Sequence, residues 1–140
     1  MSFLLDTNVV SEIRRGRDRN VRAWAEAVDD VDLHLSVLTL GEIRMGIDRL
    51  RSRDAAQADV FARWLSELST RFADRILAVD VRVADEWGRL NAVAPRSTVD
   101  SLLAATALIH GLTVVTRNTK DFEGCAIRLL DPWEYEPPTS

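Results

Sequence analysis

Five short apolar runs, separated by segments of helical periodicity, dominate the chain, and that alternation narrows the possible folds more than any other feature. Phe3 to Leu5 is apolar and stops at Asp6, as a buried strand does at its polar end; Val31 to Val37, Ile76 to Val79, Leu112 to Thr116 and Ile127 to Leu130 read as further strands. Helices are predicted at Thr7 to Arg15, stopped by Gly16, and at Asn20 to Val28. Another starts at Thr39, where Glu42 three residues on completes the pattern of a capping box and Ile43, Ile47 and Leu50 mark the buried face. Phe61, Trp64, Leu65, Leu68 and Phe72 recur at helical spacing within Asp54 to Phe72. Val83, Trp87, Leu90 and Ala94 define a helix closed by Pro95, and Asp100 opens an Ala-rich helix that Gly111 stops after His110. Parallel strands need crossovers, so this order specifies an α/β fold with a mostly parallel sheet and helices on both faces.

The rest of the chain excludes several alternatives. With 140 residues, 46% of them hydrophobic, there is material for one core. Cys125 is the single cysteine, so neither an internal disulfide nor a multi-cysteine zinc site can form. His34 and His110 form no metal-binding pair by spacing, and no glycine-rich phosphate loop or GxSxG elbow is present. Asp6 interrupts the first apolar run too early for a signal peptide, and the uncharged stretch Ser101 to Thr116 is too short to span a bilayer. These features predict a cytoplasmic protein with no membrane contact. One domain is expected over residues 1–133, followed by a tail, 134–140, with two successive prolines.

In parallel α/β folds ligands bind at the carboxyl ends of strands, which singles out a few acids. Asp6 follows the first strand, Glu42 lies in the early turns of the helix after the second, Asp100 begins the helix before the fourth, and Asp121 lies in the loop after it. All four can project toward one sheet edge. Carboxylates about 5 Å apart repel by about 3 kcal/mol per pair at an effective dielectric of about 20, so such a cluster needs protons or a cation. An oxygen-only ligand set suits Mg²⁺ or Mn²⁺ and not zinc. Each acid also has a plain structural reading. Asp6 and Asp100 can be helix caps, Glu42 can belong to a capping box, and Asp121 can be a turn residue. Asp80, which also stands between a strand and a helix, reads as a cap only.

Basic charge is unevenly placed. Of 18 basic residues 17 are arginine, and Arg14, Arg15, Arg17, Arg19 and Arg22 face only Asp18 within their stretch. Setting the four acids aside leaves 18, equal to the basic residues, so an anionic pocket on a neutral body is expected. Arginine forks suit phosphate oxygens, which makes Arg14, Arg15 and Arg17 candidates for RNA contact beside the pocket; a solvated helix face, or contact with acidic groups of a partner, explains them equally.

Four local sequences occur in order: Leu4-Leu5-Asp6-Thr7-Asn8-Val9-Val10-Ser11-Glu12, Thr39-Leu40-Gly41-Glu42, Asp100-Ser101-Leu102-Leu103-Ala104-Ala105-Thr106-Ala107, and Thr116-Arg117-Asn118-Thr119-Lys120-Asp121-Phe122. Together with the closing Leu130-Asp131-Pro132-Trp133, they resemble the PIN-domain ribonucleases, and within these the VapC/FitB-like toxins of toxin–antitoxin pairs. The resemblance runs from Leu4 to Trp133. It implies a three-layer α/β/α domain whose acids bind Mg²⁺, with Mn²⁺ as substitute, and cleave RNA. By motif, Asp6, Glu42 and Asp100 are the core acids and Asp121 the fourth, with Thr116 and Asn118 in support. Some family members carry an acid where this chain has Asn118, a place Asp121 can take over. The implied partners are RNA, a cognate VapB-like antitoxin and a second copy of the chain.

On this reading Asp6 and Asp100 hold the cation and Glu42 orients or deprotonates the attacking water, leaving a 5′-phosphate and a 3′-hydroxyl. A metal-free histidine mechanism needs two imidazoles as acid and base, which His34 in a strand and His110 at a helix end do not provide. An aspartyl-phosphate enzyme would need a second acid near Asp6 and a lysine after a later strand, where only Lys120 exists. A structure-directed DNA nuclease would need a helical arch for which the chain has no room. The non-enzymatic alternative is a dimerising or RNA-binding module that keeps the acids without turnover.

Overall fold

Phe3–Leu5 is buried throughout, so the first strand, β1, must lie inside the sheet with cover on both faces. In the computed structural model, which describes residues 1–139, β1 pairs with β2 (Leu33–Ser36) on one side and with β4 (Thr113–Val115) on the other. β3 (Ile76–Leu77) and β5 (Leu129–Leu130) form the edges, giving the order β3-β2-β1-β4-β5 with every pairing parallel. Six helices connect them: α1 (Thr7–Arg15), α2 (Arg19–Ala27), α3 (Val37–Arg51), α4 (Ala55–Arg71), α5 (Val81–Val93) and α6 (Thr98–His110).

Period-two alternation along the strands divides the apolar residues into two cores. Phe3, Leu5, Leu33, Leu35 and Val115 pack with Val9, Val10, Trp24, Ile43, Ile47, Leu65 and Leu68 from α1 to α4. Leu4 and Val114, neighbours in register, face the other way onto Leu103, Ala104 and Ala107 of α6. The expected three-layer α/β/α arrangement is the one observed. Among the described residues no helix is long and apolar enough to cross a membrane.

Several local expectations need correction. Thr39 does not cap α3. Ser36 does, its hydroxyl accepting from the Leu38 N–H at 3.0 Å, while Thr39 is buried with its hydroxyl unpartnered. Val37 is apolar and β-branched and so extends the strand pattern on paper, yet the helix already begins there, its cap three residues earlier than predicted. Asp100 does not open α6. Ser97 caps it, with Ser97 Oγ accepting from the Asp100 N–H at 3.3 Å and donating to Asp100 Oδ2 at 2.7 Å. The Thr39–Glu42 capping box expected in α3 is thus absent, and at 97–100 a serine and an aspartate of the same spacing bond through Ser97 Oγ alone. Asp54 and Asp80 cap α4 and α5 through the backbone N–H groups of Gln57 and Val83.

The chain end is better anchored than expected. Pro132–Glu134 forms a 3-10 turn, Asn20 Nδ2 donates to the Trp133 carbonyl at 2.7 Å, and the Arg117 guanidinium lies 4.9 Å from the Trp133 ring centroid. Tyr135 also packs on the larger core, beyond the predicted start of the tail.

Candidate active site

Strand order reverses direction between β1 and β4, and the crevice beyond their carboxyl ends is where such sheets bind ligands. Asp6 terminates β1 there, and its backbone N–H reaches across to the Val115 carbonyl at 2.9 Å. The carboxylate has three donors around it. Thr7 N–H donates to Oδ1 at 2.8 Å, the buried Thr116 hydroxyl to Oδ2 at 2.8 Å, and Asn8 Nδ2 to Oδ2 at 3.4 Å. Asn8 also donates to Thr116 Oγ1 and accepts from the Arg117 N–H, so one amide ties the β1 end to the β4 end.

Asp6 is only 9% exposed, and burial pushes its carboxyl above the ordinary aspartate range. The bonds from Thr116 and Thr7 pull it back, whereas the charges of Asp100 and Glu42 push it further up. Two acids from two helices therefore act on the buried acid at the end of β1, at the switch point. Glu42, in the second turn of α3, is half-buried and accepts from the Thr7 hydroxyl at 2.6 Å. Asp100, in the first turn of α6, is held by Ser97.

The other predicted residues are placed as follows. Thr116 is fully buried against Asp6. Asn118 is exposed and contributes its backbone N–H, which donates to Thr116 Oγ1 at 3.0 Å. Asp121 is exposed on the 3-10 turn Thr119–Phe122 with its carbonyl near Arg96, and it is not among the charges that move Asp6. Arg14 lies over Phe61 and Trp64, 4.2 and 5.3 Å from their centroids, Arg15 pairs with Glu12 at 3.6 Å, and Arg17 is exposed. Arg14 and Arg15 line a cleft of about 320 Å³ whose walls include Thr7, Glu42 and Trp64. Sequence reasoning passes over Thr7, Asn8 and Ser97 as site residues. The first two adjoin Asp6 directly, and the third carries the serine–acid spacing of a capping box.

Among the described residues no three of Asp, Glu, His and Cys converge closely enough to make a ready-made metal cage. The donor chemistry still fits a hard cation. Magnesium keeps several waters and takes one or two carboxylates, and here repelling, oxygen-only acids flank a buried one.

Over residues 3–126 the sequence matches the PIN domain family. It is 34% identical over 139 residues to the VapC ribonuclease Y4jK of Sinorhizobium fredii, an alignment spanning 94% of this chain and 98% of that protein. The fold is similar to that of FitAcB from Neisseria gonorrhoeae, with a TM-score of 0.86 and 32% identity over 94% of this chain and 99% of that one. It is also similar to a chain of a toxin-antitoxin complex from Klebsiella pneumoniae, with a TM-score of 0.70 and 27% identity over 94% and 98% of the two chains.

Proposed function

The chain belongs to the PIN-domain family, and on that premise we propose that it is the toxin of a toxin–antitoxin pair, an endoribonuclease that hydrolyses RNA phosphodiester bonds with Mg²⁺ or Mn²⁺. The observation that carries this reading is the buried Asp6 carboxylate under the charge of both Glu42 and Asp100 at the sheet's switch point. A cap alone would not need two further acids facing it.

Asp6 and Asp100 are the residues that would hold the cation. When bound, it offsets their charge and that of the phosphate and lowers the pKa of water. Thr116 and Asn8 orient Asp6 through their bonds to it, and the Asn118 N–H completes the coordination of the Thr116 hydroxyl by hydrogen bonds. Glu42 takes the proton of the attacking water at its carboxylate. In-line attack breaks the P–O3′ bond, leaving a 5′-phosphate, and the departing 3′-oxygen takes a proton from solvent. Asp121 joins as a fourth acid at the rim, and the exposed Arg17 with Arg14 and Arg15 offers phosphate contacts beside the cleft. An antitoxin and a second copy of the chain are the protein partners this reading assigns.

The test is incubation of the purified, partner-free protein with a mixed RNA pool and Mg²⁺ or Mn²⁺, with and without EDTA. Asp6→Asn and Asp100→Asn run in parallel, product ends are mapped, and a sizing column reports whether the 15.7 kDa chain runs as a dimer. Cation-dependent cuts with 5′-phosphate ends, lost in both variants while folding is kept, are expected. RNA binding without cleavage under either cation would sink the enzymatic reading in favour of the non-catalytic module.

A further inference from the structure

Several hydroxyls on the helices of this chain turn back onto their own helix. Ser69, Thr70, Ser101 and Thr106 each donate to the carbonyl four residues earlier in the chain. Thr7 stands at the first position of α1, where no helical carbonyl lies four residues behind. Its hydroxyl instead crosses to α3 and donates to Glu42 Oε1 at 2.6 Å, a partner 35 residues away in sequence. The same residue's backbone N–H donates to Asp6 Oδ1 at 2.8 Å. One residue thus holds two carboxylates that repel each other, one through its main chain and one through its side chain.

We propose that Thr7 is a positioning residue for RNA cleavage: its hydroxyl fixes Glu42 by Oε1 at a set place relative to Asp6 and leaves Oε2 as the oxygen that meets the attacking water. This rests on the ribonuclease reading and deepens it. Among the described residues Oε2 accepts no hydrogen bond, whereas both oxygens of Asp6 do. Thr7 and Glu42 line the same cleft, so the free oxygen belongs to a residue with access to it. Glu42 is attached through a flexible side chain on a different element from Asp6, and repulsion favours its swinging away. A donor on the residue next to Asp6 opposes that swing at the cost of only one side-chain rotamer, because threonine is already stiff at χ1.

Two variants separate the hydroxyl from the rest of the side chain. Thr7→Val keeps the β-branched shape and the backbone bond to Asp6, and Thr7→Ser keeps the hydroxyl. In single-turnover cleavage at saturating RNA, Thr7→Val is expected to lower the rate by about 10- to 100-fold, the scale of a lost positioning contact, with little change in KM. Thr7→Ser should retain most of the rate. In a Glu42→Gln background, Thr7→Val should add no further loss, because its effect passes through Glu42. Side-chain ¹³C relaxation of Glu42, measured without RNA, should show a restrained side chain in wild type and Thr7→Ser and a mobile one in Thr7→Val. The proposal is overturned if serine fails to rescue, if valine costs as much in the Glu42→Gln background as in wild type, or if Glu42 stays restrained in Thr7→Val. A wild type that cleaves no RNA, with Glu42 restrained only when the hydroxyl is present, overturns the ribonuclease reading and leaves the hydroxyl's hold on Glu42 standing.

Discussion

Asp6→Asn should abolish cleavage and at the same time make the cation-free protein more stable. The Asp6 carboxyl is 9% exposed and lies under the charge of two other acids, so its ionised form is penalised in the folded chain. Even with each neighbour as far as about 10 Å away, an effective dielectric of about 20 gives about 3 kcal/mol of repulsion from the pair, and burial adds to it. Against this stands the loss of charge in the bonds from Thr7 N–H and the Thr116 hydroxyl. Changing a charge-assisted bond to a neutral one costs about 1 kcal/mol, so about 2 kcal/mol for both. The geometry survives the change with one exchange: asparagine Oδ1 can accept from Thr7 N–H while Nδ2 donates to Thr116 Oγ1 in place of Asn8 Nδ2, whose bond there is 3.4 Å long, and the Thr116 hydroxyl hydrogen turns away. The balance favours Asn by about 1–3 kcal/mol, or about 3–10 °C in Tm for a domain of this size.

The pH dependence fixes the sign. Because the folded state raises the Asp6 pKa above its unfolded value, the native chain binds this proton more readily than the unfolded chain does. Ionisation therefore penalises the native state. The penalty is absent below the ordinary aspartate range, grows as pH rises from there to the raised value and levels off above it. Thermal unfolding of wild type and Asp6→Asn at low salt, in EDTA, across that range should show the variant's advantage at pH 7 shrinking toward zero in acid. Adding Mn²⁺ at pH 7 should raise wild type more than the variant. An Asp6→Asn protein less stable than wild type at pH 7, or a gap that ignores pH, would refute the reasoning.

Two further outcomes follow from local geometry. Gly111 ends α6 at φ 66°, and a β-carbon placed there would meet no neighbouring group within 4 Å. Gly111→Ala should therefore cost about 1–2 kcal/mol through backbone strain alone, with cleavage intact, as thermal melts and the RNA assay would report. Asp121 does not contribute to the charge on Asp6, so Asp121→Asn should reduce cleavage less than Asp100→Asn does, when both are assayed in the same cation and RNA.

Much of the fold is legible in the sequence because its signals are local. Gly16 and Gly111 adopt positive φ where helix stops are predicted, Asp54 and Asp80 cap the helices they precede, and the apolar runs become the five strands. The failures have a local cause too. Thr39 fits a cap by spacing, but Ser36 precedes it with the same chemistry, and the helix starts at the first residue able to satisfy its N–H groups. That earlier start leaves Glu42 in the second turn, too far from the cap to serve it and free to meet Thr7. The anchoring of Trp133 depends on Asn20 and Arg117, partners remote in sequence, and no pattern within the tail encodes it.

The acids pose a different problem, because cap and site are not competing explanations here. In a parallel α/β sheet the helix N-termini gather at the carboxyl ends of the strands, where ligands bind, so an aspartate that caps a helix already points toward that edge. Asp6 does both: it accepts from the first N–H of α1 and faces Glu42 and Asp100. Asp80 has the same local setting, strand before and helix after, and its carboxylate accepts from Val83 N–H as a cap should. Strand order separates them. β1 lies at the centre, beside β4, where the connections change direction; β3 lies at the edge, with β2 as its one neighbour in the sheet. Around Asp6 a second strand supplies Thr116 and a crossing helix supplies Asp100, whereas an edge strand has no second neighbour to supply either. Strand order is set by contacts between residues about a hundred positions apart, such as Leu4 with Val114, and no window of sequence around an aspartate contains it. The ordered set of motifs stands in for that missing information, since only a particular strand order lets Glu42 and Asp100 bear on Asp6.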